Sequence, residues 1–279
     1  MTSLLATWLA RTHRIMPRAA GYVHTAMFIN TRESGSYPDD LCPLGARRVE
    51  LADVPRVASA YAWGDGEPTV LALHGWGSDS TAMSSVVQAA VACGEPTMCF
   101  DAPGHGVSPG SQATITEYAR ATREVLQRFP SIHTIVAHSL ASLAAIEAVA
   151  RCGAPGPPSV LLTAPACSLS LVLDRWAAQR NLPDGVATLI DRELERRDGV
   201  PVSHWDIRTL GIPSSVQLRI VHDPADDVVP FSDAVLIASA TTAELREAQP
   251  GTGHYGIIGG DAMRAALTAC LQASVDHER

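Results

Sequence analysis

The chain has 279 residues and a formal net charge of −8, and its composition alone excludes several functions. All 21 basic side chains are arginine, and the absence of lysine rules out a Schiff-base lysine, a phosphate-loop lysine and a serine–lysine dyad. The excess of 29 acidic over 21 basic residues argues against a nucleic-acid partner. No apolar run reaches the roughly 18 to 20 residues that span a bilayer, so we expect no membrane partner.

The six cysteines are scattered along the chain. They form no Cys-x-x-Cys pair and no cluster with histidine at the spacing of metal ligands. The first ten residues lack the basic start of a secretory signal, and Arg11 interrupts their apolar stretch. We therefore expect reduced thiols, no bound metal and a cytoplasmic location.

The amino-terminal segment, residues 1–47, is predicted to be a helix and a loop that pack on the domain formed by residues 48–279. Four apolar side chains near its start recur at the spacing of an amphipathic helix. They are Leu4, Leu5, Trp8 and Leu9. A helix lying on a membrane surface is the alternative interpretation. Residues 31–45 are rich in Gly, Ser, Pro and Asp and predict the loop.

From residue 48 onward, short apolar runs alternate with helical patterns. Such alternation predicts an α/β fold, in which a mostly parallel central sheet is flanked by helices. The predicted strands are residues 57–63, 69–73, 97–100, 134–137, 159–163 and 217–221. The predicted helices are residues 80–93, 116–129, 140–151 and 261–273.

Residues 166–212 are too many for an ordinary connection and contain two helical patterns, over residues 169–180 and 185–197. An insertion of this kind predicts a small helical lid. Trp176 and Trp205 lie in this insertion. Either they wall a substrate pocket or they merely hold the lid together.

The most informative stretch is residues 134–143, where an apolar run breaks at Ser139 and restarts as an alanine-rich helical pattern. A serine on a tight turn between a strand and a helix exposes its Oγ at the carboxyl edge of the sheet. The next backbone N–H and the helix N-terminus then face any developing oxyanion. Ser139 is therefore predicted to be a nucleophile, which requires a base and an acid elsewhere in the chain.

The sequence Ala-His-Ser-Leu-Ala at residues 137–141 resembles the nucleophile elbow of the α/β-hydrolase superfamily, whose usual pattern is Gly-x-Ser-x-Gly. Alanine replaces both glycines, which in the usual pattern let the helix and the strand approach closely. We expect this departure to affect the efficiency of an esterase and to leave the assignment of the nucleophile unchanged.

Residues 218–230 resemble the superfamily's loop that carries the catalytic acid after a buried strand. In that pattern the acid precedes a proline by four positions. The count back from Pro230 selects Asp226 over Asp223 and Asp227, which are assigned to turn and surface roles.

Residues 249–255 resemble the superfamily's Gly-His loop, which makes His254 the general base. The resemblance thus implies a catalytic triad of Ser139, Asp226 and His254, in the chain order of the α/β hydrolases. The other histidines receive structural interpretations. Tyr255, next to the base, is assigned to the substrate pocket together with the two lid tryptophans.

The resemblance also implies an oxyanion hole formed by the backbone N–H groups of Trp76 and Leu140. Trp76 lies in residues 73–77, a Gly-rich loop that follows an apolar strand. Residues 100–108 resemble the D-x-P-G-x-G-x-S loop that follows the fourth strand in this superfamily, and we expect them to be structural.

Residues 251–256 satisfy Gly-x-Gly-x-x-Gly, the fingerprint of dinucleotide binding. The match lies too near the carboxyl terminus to open a βαβ unit, which that fingerprint requires. We therefore expect no nucleotide and no other cofactor.

The resemblance covers residues 57–273 and implies a serine hydrolase that cleaves a small carboxylic ester through an acyl-enzyme. The expected partner is a small acyl substrate, and the expected state is a monomer or a homodimer. The same triad suits a thioester, a lactone, an amide or a C–C bond, and no residue discriminates among them. A different class is a hydrolase-fold binding or receptor protein with little turnover.

Overall fold

The computed structural model describes residues 16–32, 42–51, 53–153 and 157–277, with the side chains of residues 273–277 excepted. Within these residues, eight strands form one sheet. They are β1 (Arg47–Glu50), β2 (Ser59–Trp63), β3 (Val70–Leu73), β4 (Thr97–Phe100), β5 (Thr134–His138), β6 (Ser159–Thr163), β7 (Gln217–His222) and β8 (Glu244–Glu247).

The strands lie side by side in the order β1-β2-β4-β3-β5-β6-β7-β8. β2 is antiparallel to both of its neighbours, β1 and β4, whereas all the other pairs are parallel. The predicted fold class, a mostly parallel sheet flanked by helices, is confirmed. Parallel strands place their carboxyl ends at one edge of the sheet, so the loops that follow β3, β5 and β7 meet there.

The described helices are α1 (Pro17–Phe28), α2 (Ser84–Ala92), α3 (Ile115–Arg128), α4 (Ala141–Arg151), α5 (Leu169–Gln179), α6 (Val186–Asp198), α7 (Phe231–Ala240) and α8 (Asp261–His277). They cover both faces of the sheet because successive side chains of a strand point to opposite faces. Leu71 and Leu162 share one apolar cluster with α3 and α4. Val136 and Leu161 share a second cluster with α2 and α8.

Several elements differ from their sequence-based predictions. The predicted helix at residues 80–93 begins as a 3₁₀ turn at Ser80–Met83, where the side chain of Asp79 accepts the N–H of Thr81. α1 and β1 were not predicted, because neither has a strong apolar period. The predicted helix that includes Leu4 to Leu9 and most of the predicted loop lie outside the described residues.

The insertion after β6 carries α5 and α6, as the long connection predicted. α1 lies against α6, and a Cβ added at Gly21 would come within 3.1 Å of the Leu189 carbonyl oxygen. The rings of Phe28 and Trp176 meet edge to face, with their centroids 5.2 Å apart. The described part of the amino-terminal segment therefore packs on the helical insertion that was predicted to be a lid, while the predicted boundary at residue 47 stays a prediction.

In the part of the chain that the structure describes, none of the helices is both long enough and apolar enough to cross a membrane.

Candidate active site

Ser139 lies on the turn between β5 and α4, at the carboxyl edge of the sheet. Its φ of 57° falls in the left-handed region, which a residue with a side chain adopts only where the surrounding structure imposes it. The neighbouring strand contributes to that constraint, since the N–H of Ser139 donates to the Thr163 carbonyl at 2.9 Å. This conformation is the one expected of the predicted nucleophile.

The two alanines that replace the elbow glycines are accommodated by packing. Ala137 and Ala141 are both fully buried, and both belong to the apolar cluster that contains Leu143. Ser139 keeps its positive φ with both methyl groups in place. The turn therefore has the geometry of an elbow despite the departure in sequence.

The structure brings the three predicted catalytic side chains together. His254 Nε2 lies 3.0 Å from Ser139 Oγ, and His254 Nδ1 lies 2.8 Å from Asp226 Oδ2. In this arrangement the Ser139 hydroxyl donates to the imidazole, and the Nδ1–H of His254 donates to the carboxylate. The bonds run without interruption from a buried carboxylate to the serine.

Asp226 is held as an anion by its surroundings. Its Oδ1 accepts the N–H groups of Val228 and Val229 at 2.8 and 2.9 Å, and its Oδ2 lies 3.5 Å from His222 Nε2. Burial alone would raise the pKa of Asp226, but hydrogen bonds from His222, His254 and the Val229 amide outweigh it and hold the pKa well below its ordinary value. The ionised carboxylate fixes the tautomer of His254.

The two competing aspartates occupy other environments. The side chain of Asp227 is exposed, as the sequence predicted. Asp223 is buried and accepts the N–H of Ala225 at 2.8 Å, which closes a local turn. Neither carboxylate is bonded to His254 in the described structure.

The predicted oxyanion loop lies directly beside the elbow. A Cβ added at Gly75 would come within 3.0 Å of the His138 ring and 3.3 Å of Ser139 Cβ, so glycine permits this approach without displacing either side chain. Trp76, the next residue, is fixed by its indole N–H, which donates to the Asn30 carbonyl at 3.2 Å. Among the described residues, the N–H groups of Trp76 and Leu140 make no hydrogen bond to another backbone group, and both residues line the cavity that contains Ser139.

The loop that follows β4 is hydrogen-bonded to the predicted oxyanion loop and to its own neighbours. Asp101 accepts the N–H groups of Ser80 and Val107 at 2.8 and 3.0 Å. The N–H of Ala102 donates to His74 Nε2 at 3.1 Å, which ties this loop to the oxyanion loop. These residues position the backbone and do not line the cavity with Ser139.

His138 packs against the proposed base. The two imidazole centroids, of His138 and His254, are 4.7 Å apart. Burial, with a further contribution from His254, lowers the pKa of His138 to about 3, so its ring stays neutral. His138 Nδ1 lies 3.1 Å from the Thr163 carbonyl, which it reaches as a donor. The uncharged ring of His138 therefore packs against the imidazole of His254.

A cavity of about 260 Å³ opens onto Ser139 and His254. Trp176 and Trp205 both line it, and so does Tyr255, which is 70% exposed at the cavity mouth. Most of the remaining lining is apolar and comes from the helical insertion and the loops around Ser139. It includes Leu140, Leu169, Val172, Leu194, Val202, Val229 and Ile258.

The sequence did not identify two groups of lining residues. Phe28 and Ile29 reach the cavity from the end of α1, which no periodic pattern had indicated. Arg175 lines the cavity from α5. It makes a bidentate ion pair with the buried Asp233, with N–O distances of 2.8 and 3.0 Å. Pairing of an arginine with a distant aspartate has no local sequence signal.

The described residues contain no group of three or more His, Cys, Asp or Glu side chains arranged to hold a metal ion.

The strand order, the turn that carries Ser139 and the helical insertion after β6 define an α/β-hydrolase fold. The sequence profile of the Alpha/beta hydrolase family matches residues 70–269, and the chain belongs to that family.

One relative in sequence is esterase Rv0045c of Mycobacterium tuberculosis, which is 33% identical over 111 residues. That match covers 36% of this chain and 35% of the esterase, so the chain matches about a third of the relative's length.

Solved structures with the same fold cover most of the chain. Mouse alpha/beta hydrolase domain-containing protein 10 has a TM-score of 0.63 at 15% identity and covers 84% of this chain and 99% of its own. The Pyrococcus furiosus esterase Pf2001 has a TM-score of 0.61 at 18% identity and covers 88% of this chain and 97% of its own. At these identities the likeness concerns the fold.

Proposed function

We propose that this protein is a serine hydrolase that cleaves a small carboxylic ester through an acyl-enzyme intermediate. One observation carries the proposal. The hydrogen-bonded series from Asp226 through His254 to Ser139 ends at the mouth of an apolar cavity. A serine activated in this way, next to a largely apolar cavity, is suited to acyl transfer.

In the first step, Ser139 Oγ attacks the carbonyl carbon of the ester and its proton passes to His254 Nε2. The ionised Asp226 stabilises the imidazolium that forms. The C–O bond to the alcohol then breaks, and His254 returns the proton to the departing oxygen. Ser139 is left acylated, and the free alcohol leaves.

In the second step, a water molecule gives a proton to His254 Nε2 and attacks the acyl carbon. The bond from that carbon to Ser139 Oγ then breaks, and His254 returns the proton to Oγ, which releases the carboxylic acid and regenerates Ser139. Negative charge develops on the carbonyl oxygen in both steps. The N–H groups of Trp76 and Leu140 are the donors that we assign to this oxygen, and each such donor contributes about 10²-fold or more to the rate.

The cavity favours an acyl or alcohol group that is apolar. Trp176, Trp205 and Phe28 are among the aromatic side chains that line it, and such surface gains free energy by burying apolar groups. The esterase names of a sequence relative and of a structural neighbour agree with an ester substrate. Thioesters, lactones and amides are the substrates with which esters should be compared.

The proposal is tested with a fluorophosphonate probe, which reacts only with activated serines. The folded protein should gain one adduct, mapped by peptide mass to Ser139, and should hydrolyse p-nitrophenyl esters. Ser139→Ala is the matched control and should lose both reactions. An unlabelled Ser139 in folded protein, with no ester hydrolysis, would favour a binding or receptor protein instead.

A further inference from the structure

Asp223 is a buried carboxylate that the proposed reaction does not use. It lies at the end of β7, three positions before Asp226, and its side chain is inaccessible to solvent. Besides the turn bond to Ala225, Asp223 Oδ1 accepts the N–H of Gly251 at 3.2 Å, and Oδ2 accepts the N–H of Gly253 at 2.6 Å. One carboxylate therefore joins the loop of the proposed acid to the loop of the proposed base.

The two glycines form a cradle for this carboxylate. Gly251 and Gly253 have φ values of +88° and +78°, in the left-handed region. A Cβ added at either position would meet nothing within 4 Å, so the backbone conformation, and not lack of space, requires glycine. The N–H groups of Gly251 and Gly253 both point at this carboxylate, as in an anion-binding nest, while the N–H of the intervening Thr252 donates to the Gln249 carbonyl at 3.1 Å.

The Gly-x-Gly segment at residues 251–253, part of the pattern that resembles a dinucleotide fingerprint, thus binds a carboxylate of its own chain. The negative charge of Asp223 suits it to accept these N–H groups. Burial alone would raise the pKa of Asp223, but the N–H donors of Gly253, Ala225 and Gly251 outweigh it and keep the pKa below its ordinary value.

The cradle lies next to the catalytic imidazole in the chain. Gly253 directly precedes His254, whose ring must reach both Ser139 and Asp226. The N–H of Asp226 donates to the Asp223 carbonyl at 3.0 Å, so the main chain of Asp223 also holds the acid loop. A shift of Gly253 would move the imidazole relative to both partners.

We propose that Asp223 is a positioning residue, whose carboxylate fills the nest of Gly251 and Gly253 and thereby sets His254 against Asp226 and Ser139. This inference rests on the proposed function, because it assigns a role toward the same base. Asp223 touches no reacting atom. Its effect is on the orientation of His254, so its loss should lower kcat and leave substrate binding nearly unchanged.

The test removes the Asp223 carboxylate by mutation and then supplies formate, a small carboxylate, in solution. Asp223→Ala should lower kcat for a p-nitrophenyl ester about 100-fold, because a misplacement near 1 Å has an effect of that order, with KM changed less than about threefold. Sodium formate should then restore kcat saturably, at least about tenfold. Asp223→Asn keeps the shape but turns one acceptor into a donor, and it should show the same loss without rescue.

The control is Asp227→Ala, which removes an exposed carboxylate of the same loop. It should keep kcat within about twofold and should not respond to formate, since surface substitutions usually have small effects. A loss of kcat in Asp223→Ala that formate does not reverse, or a rise in KM that accounts for the loss, would overturn the inference.

A second measurement does not depend on turnover. The amide resonances of Gly251 and Gly253 should shift in Asp223→Ala and return toward their wild-type positions as formate is added. Resonances that do not respond to the substitution would refute the cradle.

If wild-type Ser139 reacts with fluorophosphonate while Asp223→Ala keeps full kcat, the inference alone fails. If wild type is inert, the proposed function fails and the resonances still test the cradle.

Discussion

Asp223, Asp226 and Asp227 share one loop, yet their carboxylates meet three different environments. Asp226 accepts a hydrogen bond from His254, Asp223 accepts backbone N–H groups from two loops, and Asp227 faces solvent. Identical side chains on one short segment therefore differ in role because their partners lie elsewhere in the sequence. These differences give each carboxylate its own expected effect on substitution.

Asp226→Asn should lower kcat for ester hydrolysis by about 10⁴-fold, because a neutral amide no longer selects the His254 tautomer that accepts the serine proton. The measurement is steady-state hydrolysis of a p-nitrophenyl ester, with folding checked by circular dichroism. Asp227→Asn is the matched control and should stay within about twofold of wild type. An active Asp226→Asn beside an inactive Asp227→Asn would mean that the acid has been assigned to the wrong aspartate.

At the scale of elements, the cavity is built by segments far apart in the chain. α1, α5 and the loop that holds Trp205 each contribute aromatic surface, and α1 packs against α6 of the helical insertion. Trp176 contacts Phe28 of α1, so the insertion and the amino-terminal helix form one wall. None of these side chains belongs to the proposed triad.

Trp176→Ala and Trp205→Ala should change which acyl chain length is preferred among p-nitrophenyl esters, because each enlarges the cavity that we propose binds the substrate. Fluorophosphonate labelling of Ser139 should persist, since its activation depends on His254. Trp63→Ala, a tryptophan outside this cavity, should leave the chain-length preference unchanged. If both lid variants lost labelling together with all ester hydrolysis, the insertion would be supporting the catalytic loops instead of shaping the substrate site.

At the scale of the whole molecule, the buried carboxylates couple stability to pH. Asp226 has a pKa in the folded protein below its ordinary value, so the unfolded chain binds protons more readily. The resulting stabilisation is fully present above the ordinary pKa of about 3.9 and is lost as the pH falls toward the folded-state pKa.

Asp226→Asn should therefore flatten the dependence of the free energy of unfolding on pH between about 4 and 2, by up to about 1.4 kcal/mol per pH unit. Urea denaturation at a series of pH values, followed by circular dichroism, measures this slope. The exposed Asp227 provides the control, and Asp227→Asn should retain the wild-type slope. Equal slopes in all three proteins would contradict an ionised, hydrogen-bonded Asp226.

Much of the fold follows from local patterns in the sequence. The apolar runs at residues 69–73 and 159–163 predicted β3 and β6 closely, because buried parallel strands are nearly continuous in apolar residues. The helix predicted over residues 80–93 has a shorter regular part, since Asp79 caps a 3₁₀ turn first. α1 was missed because the apolar side chains that it buries are few.

The sequence by itself determined the α/β class and the break at Ser139, since both depend on neighbouring residues, and the resemblance of two loops to those of the α/β hydrolases predicted the roles of Asp226 and His254. Only the tertiary structure decided that Phe28 walls the cavity and that Asp223 fills the Gly251–Gly253 nest. The physical reason is the range of the interactions. Periodicity and turn chemistry act between neighbours in the chain, whereas a buried carboxylate takes its partners from whatever backbone the fold brings beside it.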